Sequence, residues 1–215
     1  MHLDSLDRSR HVAATLVENA RVTAASDRVD LRRLGLNVPA PEGAWFEGQA
    51  FGVAAPDGGP QAFRLYTVAE VRPVPAGGGV DVVCYVRRWG GPVSGFLCDR
   101  TPGDALTLYG PYDYRFRLPM DNRSNLVMIG AATGIAPFRA LVHRAYDARV
   151  DWKGMVRLFH GPNTGMEVLY ANEPGDVARK RGLTIGYLPQ DPPPPGDHTL
   201  HEAMLQGFAG LRAQG

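Results

Sequence analysis

The pattern of the sequence changes near residue 120, and this change limits most strongly what the chain can fold into. From about residue 20 to 118, short runs such as "AFGVAA", "FRLYTVAEVR", "VDVVCYVRRW" and "ALTLYGPY" are separated by Gly, Pro and Asp turns. After residue 121, strand-like runs ("NLVMIGA", "GMVRLFHG", "LTIGYLPQ") alternate with segments of helical spacing. The first pattern predicts an all-β barrel or sandwich. The second predicts a parallel α/β sheet.

These patterns divide the 215 residues into three segments. Residues 1–19 are predicted to form an N-terminal amphipathic helix. Residues 20–120 form the β domain and residues 121–215 the α/β domain, which suits two domains of about 100 residues each. The helix prediction rests on apolar positions at Leu3, Leu6, Val12, Leu16 and Val17.

Within the α/β segment, Pro137 suits the first turn of a helix over "APFRALVHRAYDAR". "MEVLYANEPGDVARKRG" and the tail after residue 198 are predicted to add further helices. The proline run at residues 191–197 is interpreted as a rigid loop, with a Pro-rich signalling ligand as the alternative.

Composition restricts the class of partner. The net charge is +1, so no bulk field favours nucleic acid or an anionic membrane. Cys84 and Cys98 have no spacing suited to zinc or an iron–sulfur cluster, so no metal is expected. The first twenty residues lack the apolar core of a secretory signal, and no run of 18 apolar residues suggests a membrane span. We therefore expect a cytoplasmic protein.

Two stretches carry residues suited to binding a nucleotide. In "FRLYTVAE", Arg64 and Tyr66 share one face of a strand and Thr67 follows. An arginine, a planar ring and a hydroxyl suit a phosphate and a heteroaromatic ligand, although cross-strand packing and a surface salt bridge would also explain them. In "GGPVSGF", residues 91–94 stand at a helix start, which suits an anion or is an ordinary N-cap.

Four motifs, in this order, resemble the plant-type ferredoxin–NADP⁺ reductase superfamily. "RLYT" matches the R-x-Y-[ST] flavin motif of that family, and "GPVS" matches its G-x-x-S flavin-phosphate motif. "FLCDRTPGDALTLYGPY" follows the family's course, and "GAATGIAPFRALV" matches its pyridine-nucleotide segment. The resemblance implies an N-terminal antiparallel Greek-key flavin-binding barrel, followed by a small parallel-sheet nucleotide-binding domain.

The resemblance also implies roles for the matched residues. Tyr66 would stack on the isoalloxazine of FAD, Arg64 would contact the flavin pyrophosphate, and Thr67 would replace the hydroxyl near flavin N5, where hydride arrives. Tyr66 and Thr67 are thus the catalytic candidates. FAD is favoured over FMN by the resemblance alone.

Three further sets of cofactor-binding residues follow from the same match. The phosphate set is Gly91, Val93, Ser94 and Gly95. The set beside the adenylate half of FAD is Cys84, Tyr85, Val86 and Arg87. The set that forms the NAD(P)H turn is Gly130, Thr133, Gly134 and Pro137. Ala132 differs from the family's glycine, and its Cβ is expected to weaken that turn without abolishing it.

The sequence departs from the family at three places. Leu188 and Pro189 stand where dedicated reductases carry Ser-Arg, so a preference for NADP is doubtful and NAD is better tolerated. Many family members carry a cysteine that faces the nicotinamide ring, and Gly161 stands at about that position here. His160 beside it is either a polar group near the ring or a turn residue. The family's last strand has no counterpart, so the nucleotide domain is expected to be shortened, and a partner chain or dimer could cover its sheet edge.

These observations leave three hypotheses for function. The leading one is a flavoprotein oxidoreductase that passes electrons between NAD(P)H and ferredoxin or another one-electron carrier. The second is a flavin-binding electron-transfer or assembly subunit without an NAD(P)H site, and the third is a cofactor-free interaction module. Five arginines have two interpretations: they form a basic patch that attracts an acidic ferredoxin, or they are scattered charges that keep the protein soluble. They are Arg87, Arg88, Arg115, Arg117 and Arg123.

Overall fold

The computed structural model describes most of the barrel segment and part of the α/β segment. The described residues are 6–41, 44–56, 59, 62–75, 78–113, 116, 118–146, 150–161 and 183–187. The predicted helices after residues 165 and 198 and the proline run at 191–197 lie outside them.

The first part of the chain forms a seven-stranded antiparallel sheet with the strand order β4-β3-β7-β1-β2-β6-β5. The edge strands β4 and β5 are consecutive in the chain and separated only by Val68 and Ala69. The sheet must therefore curl until its edges meet, which confirms the predicted antiparallel Greek-key barrel. The strands are β1 (His11–Arg21), β2 (Leu31–Val38), β3 (Ala50–Ala54), β4 (Phe63–Thr67), β5 (Glu70–Pro73), β6 (Val80–Arg87) and β7 (Ala105–Tyr112).

The barrel core is built by alternation along the strands. In β6, Val82, Cys84 and Val86 are at most 1% exposed, whereas Asp81, Tyr85 and Arg87 are partly exposed; Val83, at 2%, is the exception to the alternation. A short helix, α1 (Pro92–Cys98), closes one end of the barrel through its buried Val93, Leu97 and Cys98 side chains.

The prediction of a helix over residues 1–19 is wrong, because residues 11–19 belong to β1. Ala14 and Leu16 are buried while their neighbours are more exposed, which is the two-residue period of a strand. β1 pairs with β2 on one side and with β7 on the other. These two ladders satisfy backbone groups that a helix would pair internally, and they override the local helical spacing.

The second part of the chain forms a parallel sheet with the order β10-β9-β8, as predicted. Its strands are β8 (Leu126–Ala131), β9 (Val156–Gly161) and β10 (Leu183–Tyr187). A 3₁₀ turn, Ala132–Ile135, leads into α2 (Ala136–Ala145), and Pro137 lies in the first turn of α2. Across the residues that the structure describes, no helix has both the length and the apolar character needed to span a bilayer.

The two sheets share a packed interface. Leu31 of barrel strand β2 is fully buried in the hydrophobic cluster that contains Met128, Val142 and Leu158 of the α/β part. Tyr85 of β6 packs against the same cluster. The barrel and the α/β part therefore bury apolar surface against each other, and the groove between them has well-packed walls.

Candidate functional site

A cavity of about 430 Å³ lies between the barrel and the α/β part. It brings together two sets of predicted site residues: Tyr66, Thr67, Tyr85 and Arg87 from the barrel, and Gly130, Thr133, Gly134 and Pro137 from the α/β part. The remaining lining residues are Leu65, Phe116, Ile129, Ala136 and Phe138. This volume lies within the usual range of small-molecule and cofactor sites.

The end of β4 supplies the Tyr66 ring and the Thr67 hydroxyl. Ladder pairing with β3 sets Phe51 opposite Tyr66 and Ala50 opposite Thr67. The Tyr66 ring lies 6.1 Å from the Phe51 ring, and burial raises the pKa of the Tyr66 phenol, so the ring stays neutral. Arg64 is exposed on the same strand, where its Nη1 donates to the Phe63 carbonyl at 2.8 Å. Arg64 is not among the residues that line the cavity.

Only two of the four predicted β6 residues turn their side chains toward the cavity. Tyr85 and Arg87 line it, whereas Cys84 and Val86 are buried inside the barrel. Any contact of Cys84 or Val86 with a ligand outside the barrel is therefore limited to the backbone. The Arg87 guanidinium lies 4.4 Å from the centre of the exposed Trp89 ring, which orients it at the mouth of the cavity.

The predicted phosphate segment forms the start of α1, away from the cavity lining. Gly91 is the N-cap, and the Val93 side chain is buried in the barrel core. The Ser94 hydroxyl accepts from the Trp89 N–H at 3.0 Å and lies near the Trp89 and Gly91 carbonyl oxygens. A Cβ on Gly95 would meet no atom within 4 Å. The fold therefore does not require glycine there, and the space is open to a ligand.

Gly130, at the end of β8, and Gly134, in the turn after it, differ in what surrounds them, so the presence of glycine has a different explanation at each position. A Cβ on Gly130 would lie 3.2 Å from the Phe138 ring and 3.3 Å from the Gly134 carbonyl oxygen, so packing within the turn accounts for Gly130. A Cβ on Gly134 would meet nothing within 4 Å. Gly134 therefore faces open space beside the cavity, where a ligand can approach the backbone closely. His160 pairs with Gly130 in the parallel ladder.

A buried charged cluster, which the sequence motifs did not predict, joins α2 to the barrel. Arg139, which is 7% exposed, donates from Nη1 to the Ala69 carbonyl at 2.8 Å and lies 3.4 Å from Glu47 Oε1. Its Nη2 lies 3.9 Å from the Glu70 carboxylate. Glu47 also contacts His143 Nδ1 at 2.8 Å. The one available signal was the position of Arg139 inside the matched "GIAPFR" motif.

At least one arginine of the predicted basic patch forms ion pairs within the protein. Arg88 pairs with Asp30 at 3.1 Å and with Asp99, so opposite charges balance it. Arg115 and Arg117 lie outside the described residues, as do Leu188 and Pro189 at the predicted NADP-discriminating position. The described side chains do not include Ala132, whose expected effect on the turn stays a prediction.

Comparison with known sequences supports the resemblance. Residues 128–214 match the family model of the oxidoreductase NAD-binding domain. The chain is 33% identical over 146 residues to the cyanelle ferredoxin–NADP reductase of Cyanophora paradoxa, which is 60% of this chain and 40% of that protein. It is 33% identical over 144 residues to a chloroplastic leaf isozyme of Arabidopsis thaliana, 59% of this chain and 40% of that one. The chain thus matches about 40% of the length of these relatives.

Solved structures with the same fold include a ferredoxin–NADP⁺ reductase from Plasmodium falciparum, with a TM-score of 0.63, 17% identity, and coverage of 87% of this chain and 73% of that one. The Amycolatopsis cytochrome P450 reductase GcoB has a TM-score of 0.63 and 27% identity, and the match covers 86% of this chain and 54% of that chain. With the barrel, the parallel sheet and the motifs in family order, these matches show that the chain is similar in sequence to ferredoxin–NADP reductases and shares their fold.

Proposed function

We propose that this chain is a flavoprotein oxidoreductase that passes electrons between NAD(P)H and a one-electron protein carrier of the ferredoxin or flavodoxin type. One observation carries the proposal. Tyr66 and Thr67 of the matched flavin motif line the same cavity as the residues matched to a nicotinamide-nucleotide motif, although the two sets come from different parts of the fold. The second set is Gly130, Thr133, Gly134 and Pro137. A reaction between two bound cofactors needs such an arrangement, because the reacting groups must be held together.

The barrel side of the cavity fits a flavin. Tyr66 offers a neutral, partly buried aromatic ring, and Thr67 offers a hydroxyl at the cavity wall. Arg87 brings a cation, and the open space at Gly95 leaves room near the Ser94 segment for a phosphate. FAD, when bound, supplies the capacity to take up two electrons from a nicotinamide and release them singly. The protein holds and orients the ring through Tyr66 and Thr67.

The α/β side fits a nicotinamide nucleotide. Gly134 leaves its backbone open to close approach, and Thr133 and Pro137 line the same wall. Because Leu188 and Pro189 replace the Ser-Arg pair of dedicated reductases, we propose that NADH is used at least as well as NADPH. One specific observation favours the alternative of a flavin subunit without an NAD(P)H site: packing alone accounts for Gly130.

The proposal also covers the domain boundary, the electron acceptor, the cellular location and a partner chain. We place the boundary between the flavin-binding and nucleotide-binding domains near residue 120, between β7 and β8. The electron acceptor is proposed to be a ferredoxin or another redox protein, since the relatives are named for ferredoxin and the GcoB neighbour for cytochrome P450. A cytoplasmic location, and a partner chain or second copy at the sheet edge of the nucleotide domain, are retained as proposals.

An anaerobic spectral titration tests the proposal. The purified protein is reconstituted with FAD and then titrated separately with NADH and NADPH, with dithionite as the control that the bound flavin can be reduced. We expect a yellow protein whose flavin band bleaches with at least one nucleotide. A yellow protein that dithionite bleaches and neither nucleotide bleaches would support the flavin subunit instead. A protein that binds neither FAD nor FMN would contradict both hypotheses and favour a cofactor-free module.

A further inference from the structure

We propose that Arg139 is a positioning residue that fixes the width of the cavity by tying α2 to the corner between β4 and β5. The inference rests on the proposed function, because it concerns how the two sides of that cavity are held in register. Arg139 itself does not line the cavity.

The corner that Arg139 contacts closes the barrel. Val68 and Ala69 carry the chain from β4 at one edge of the sheet to β5 at the other. The backbone of Val68 pairs with Gly48 and Gln49, at 2.9 and 2.8 Å, and the Ala69 N–H donates to the Val83 carbonyl at 2.8 Å. The Ala69 carbonyl accepts from Arg139 Nη1 at 2.8 Å. This bond therefore joins the α/β part to a well-anchored point of the barrel.

Both ends of this hydrogen bond lie within two residues of a wall of the cavity. Ala69 follows Thr67 by two positions, and Arg139 follows Pro137 by two positions on α2. Thr67 and Pro137 line the cavity from opposite sides. Loss of this bond would therefore remove a constraint on the separation of these two walls.

The charges around Arg139 explain why an arginine is needed. Its side chain is 8% exposed, and Glu70 beside it is 7% exposed. Glu70 is also 3.3 Å from Arg33 and pairs with Arg72, and Glu47 lies on the other side of Arg139. Buried charges need partners in good geometry. The planar guanidinium presents five donors in a fixed fork, so it can serve a carbonyl and two carboxylates in different directions, whereas the lysine ammonium is a compact charge without that geometry.

The test compares R139K and R139Q with R144Q. Arg144 lies on the same helix but is exposed, with its guanidinium 5.2 Å from the Phe46 ring centre. Hydrogen exchange is measured on residues 63–73 in the full chain without nucleotide. FAD affinity and the rate of flavin bleaching by NADH, or by NADPH if only that nucleotide is active, are then measured on the reconstituted proteins.

We expect faster exchange at residues 63–73 in R139K and R139Q than in the wild type, with R144Q unchanged. FAD affinity should stay within about twofold, while bleaching by the nucleotide slows about 10- to 100-fold, the scale expected for a displacement near 1 Å. Dithionite should reduce the flavin of every variant equally well. Because R139K keeps the charge, it carries the test if R139Q does not fold.

Several outcomes would overturn the inference. Unchanged exchange and unchanged bleaching in R139K would mean that Arg139 does not hold the corner. Loss of FAD in parallel with bleaching, or loss of fold in both variants, would mean a general structural role. A wild-type protein that neither nucleotide bleaches would refute the proposed enzyme, whereas the exchange comparison would still decide whether Arg139 anchors the corner.

Discussion

Gly48 packs against Ala140 with no space for a side chain between them. A Cβ built on Gly48 would lie 2.9 Å from the Ala140 Cβ, and the Gly48 backbone has φ = +85°. The turn before β3 and the face of α2 are therefore complementary at this point. The contact lies beside the Glu47–Arg139 pair, so apolar and charged contacts join the two parts of the protein at one place.

We predict that G48A lowers the free energy of unfolding by about 2–4 kcal/mol, because it adds both backbone strain and a steric clash. Urea denaturation of the protein without cofactor measures this change. G103A is the matched control, since Gly103 also has a positive φ (+101°) but its Cβ would meet nothing within 4 Å. Equal destabilisation by the two substitutions would show that the contact with Ala140 adds no cost.

Removal of the Tyr66 ring is predicted to weaken FAD binding. Y66A should lose about 1–3 kcal/mol of binding free energy through lost stacking and burial. Y66F keeps the ring and should bind FAD within about 1 kcal/mol of the wild type. Fluorescence titration of the cofactor-free protein with FAD gives both values. Unchanged affinity in Y66A would remove Tyr66 from the flavin site.

Gly95 and Gly134 are the two predicted site glycines whose Cβ would meet no atom within 4 Å, and they should respond to different ligands. G95A is predicted to weaken FAD binding, and G134A to weaken nucleotide-driven bleaching while leaving FAD affinity unchanged, each by about tenfold or 1.4 kcal/mol. Neither substitution should destabilise the cofactor-free protein, because the added Cβ meets no atom within 4 Å. Gly95 also lies within α1, where alanine favours the helix more than glycine does. Thermal unfolding is the control. A loss of stability that accounts for the lost affinity would contradict the ligand interpretation.

Asp30 should make stability depend on pH in acid. Burial alone would raise the pKa of its carboxyl, but hydrogen bonds from Arg32 and Arg88 outweigh it and lower the pKa. A lowered folded-state pKa gives stability that is present above the unfolded value near 3.8 and is lost as the pH falls through the folded value.

D30N should therefore cost about 1–3 kcal/mol at pH 7, and its loss of stability below pH 4 should be smaller than in the wild type. Urea unfolding between pH 2.5 and 7 measures both effects. The control is D151N, because Asp151 pairs with Lys153 at an exposed site, where an ion pair contributes little. An identical acid profile in D30N and the wild type would contradict this prediction.

The thiols of Cys84 and Cys98 should be unreactive in the folded protein. Burial raises the pKa of Cys84 to about 12 and also raises the pKa of Cys98. Since the thiolate is the reactive form, a disulfide reagent at pH 8 should modify neither residue until guanidinium is added, and then both. Rapid modification of the folded protein would show that the barrel core opens on the timescale of the assay.

Motifs and turns made the barrel and the parallel sheet predictable, whereas single strands were harder to identify. "LRRLGLNV" was not among the runs that indicated strands, although it forms β2. Arg32 and Arg33 interrupt its apolar character. In the fold, Arg33 is paired with Glu18 and Glu70 and Arg32 with Asp30. The partners of Arg33 lie 15 and 37 positions away in the sequence, so no local pattern reveals them, whereas the partner of Arg32 is only two positions away.

The site was predictable in its motifs but not in its side-chain directions or its supporting contacts. The alternation in "VDVVCYVR" could have separated Cys84 and Val86 from Tyr85 and Arg87, since neighbouring residues of a strand point to opposite faces. The bond between Arg139 and Ala69 joins residues 70 positions apart. It follows from the packing of α2 on the barrel corner, which no local sequence pattern specifies.

The pairing of β1 with β7 has a consequence for synthesis of the chain. His11 pairs with Tyr109, so one side of β1 stays without its partner until β7 has emerged from the ribosome. At about 5–20 residues per second, the intervening stretch of about 100 residues takes about 5–20 s to translate. Throughout that interval the nascent chain presents an open strand edge, which is a template for aggregation. We therefore expect chaperone demand to fall once residue 112 has been released.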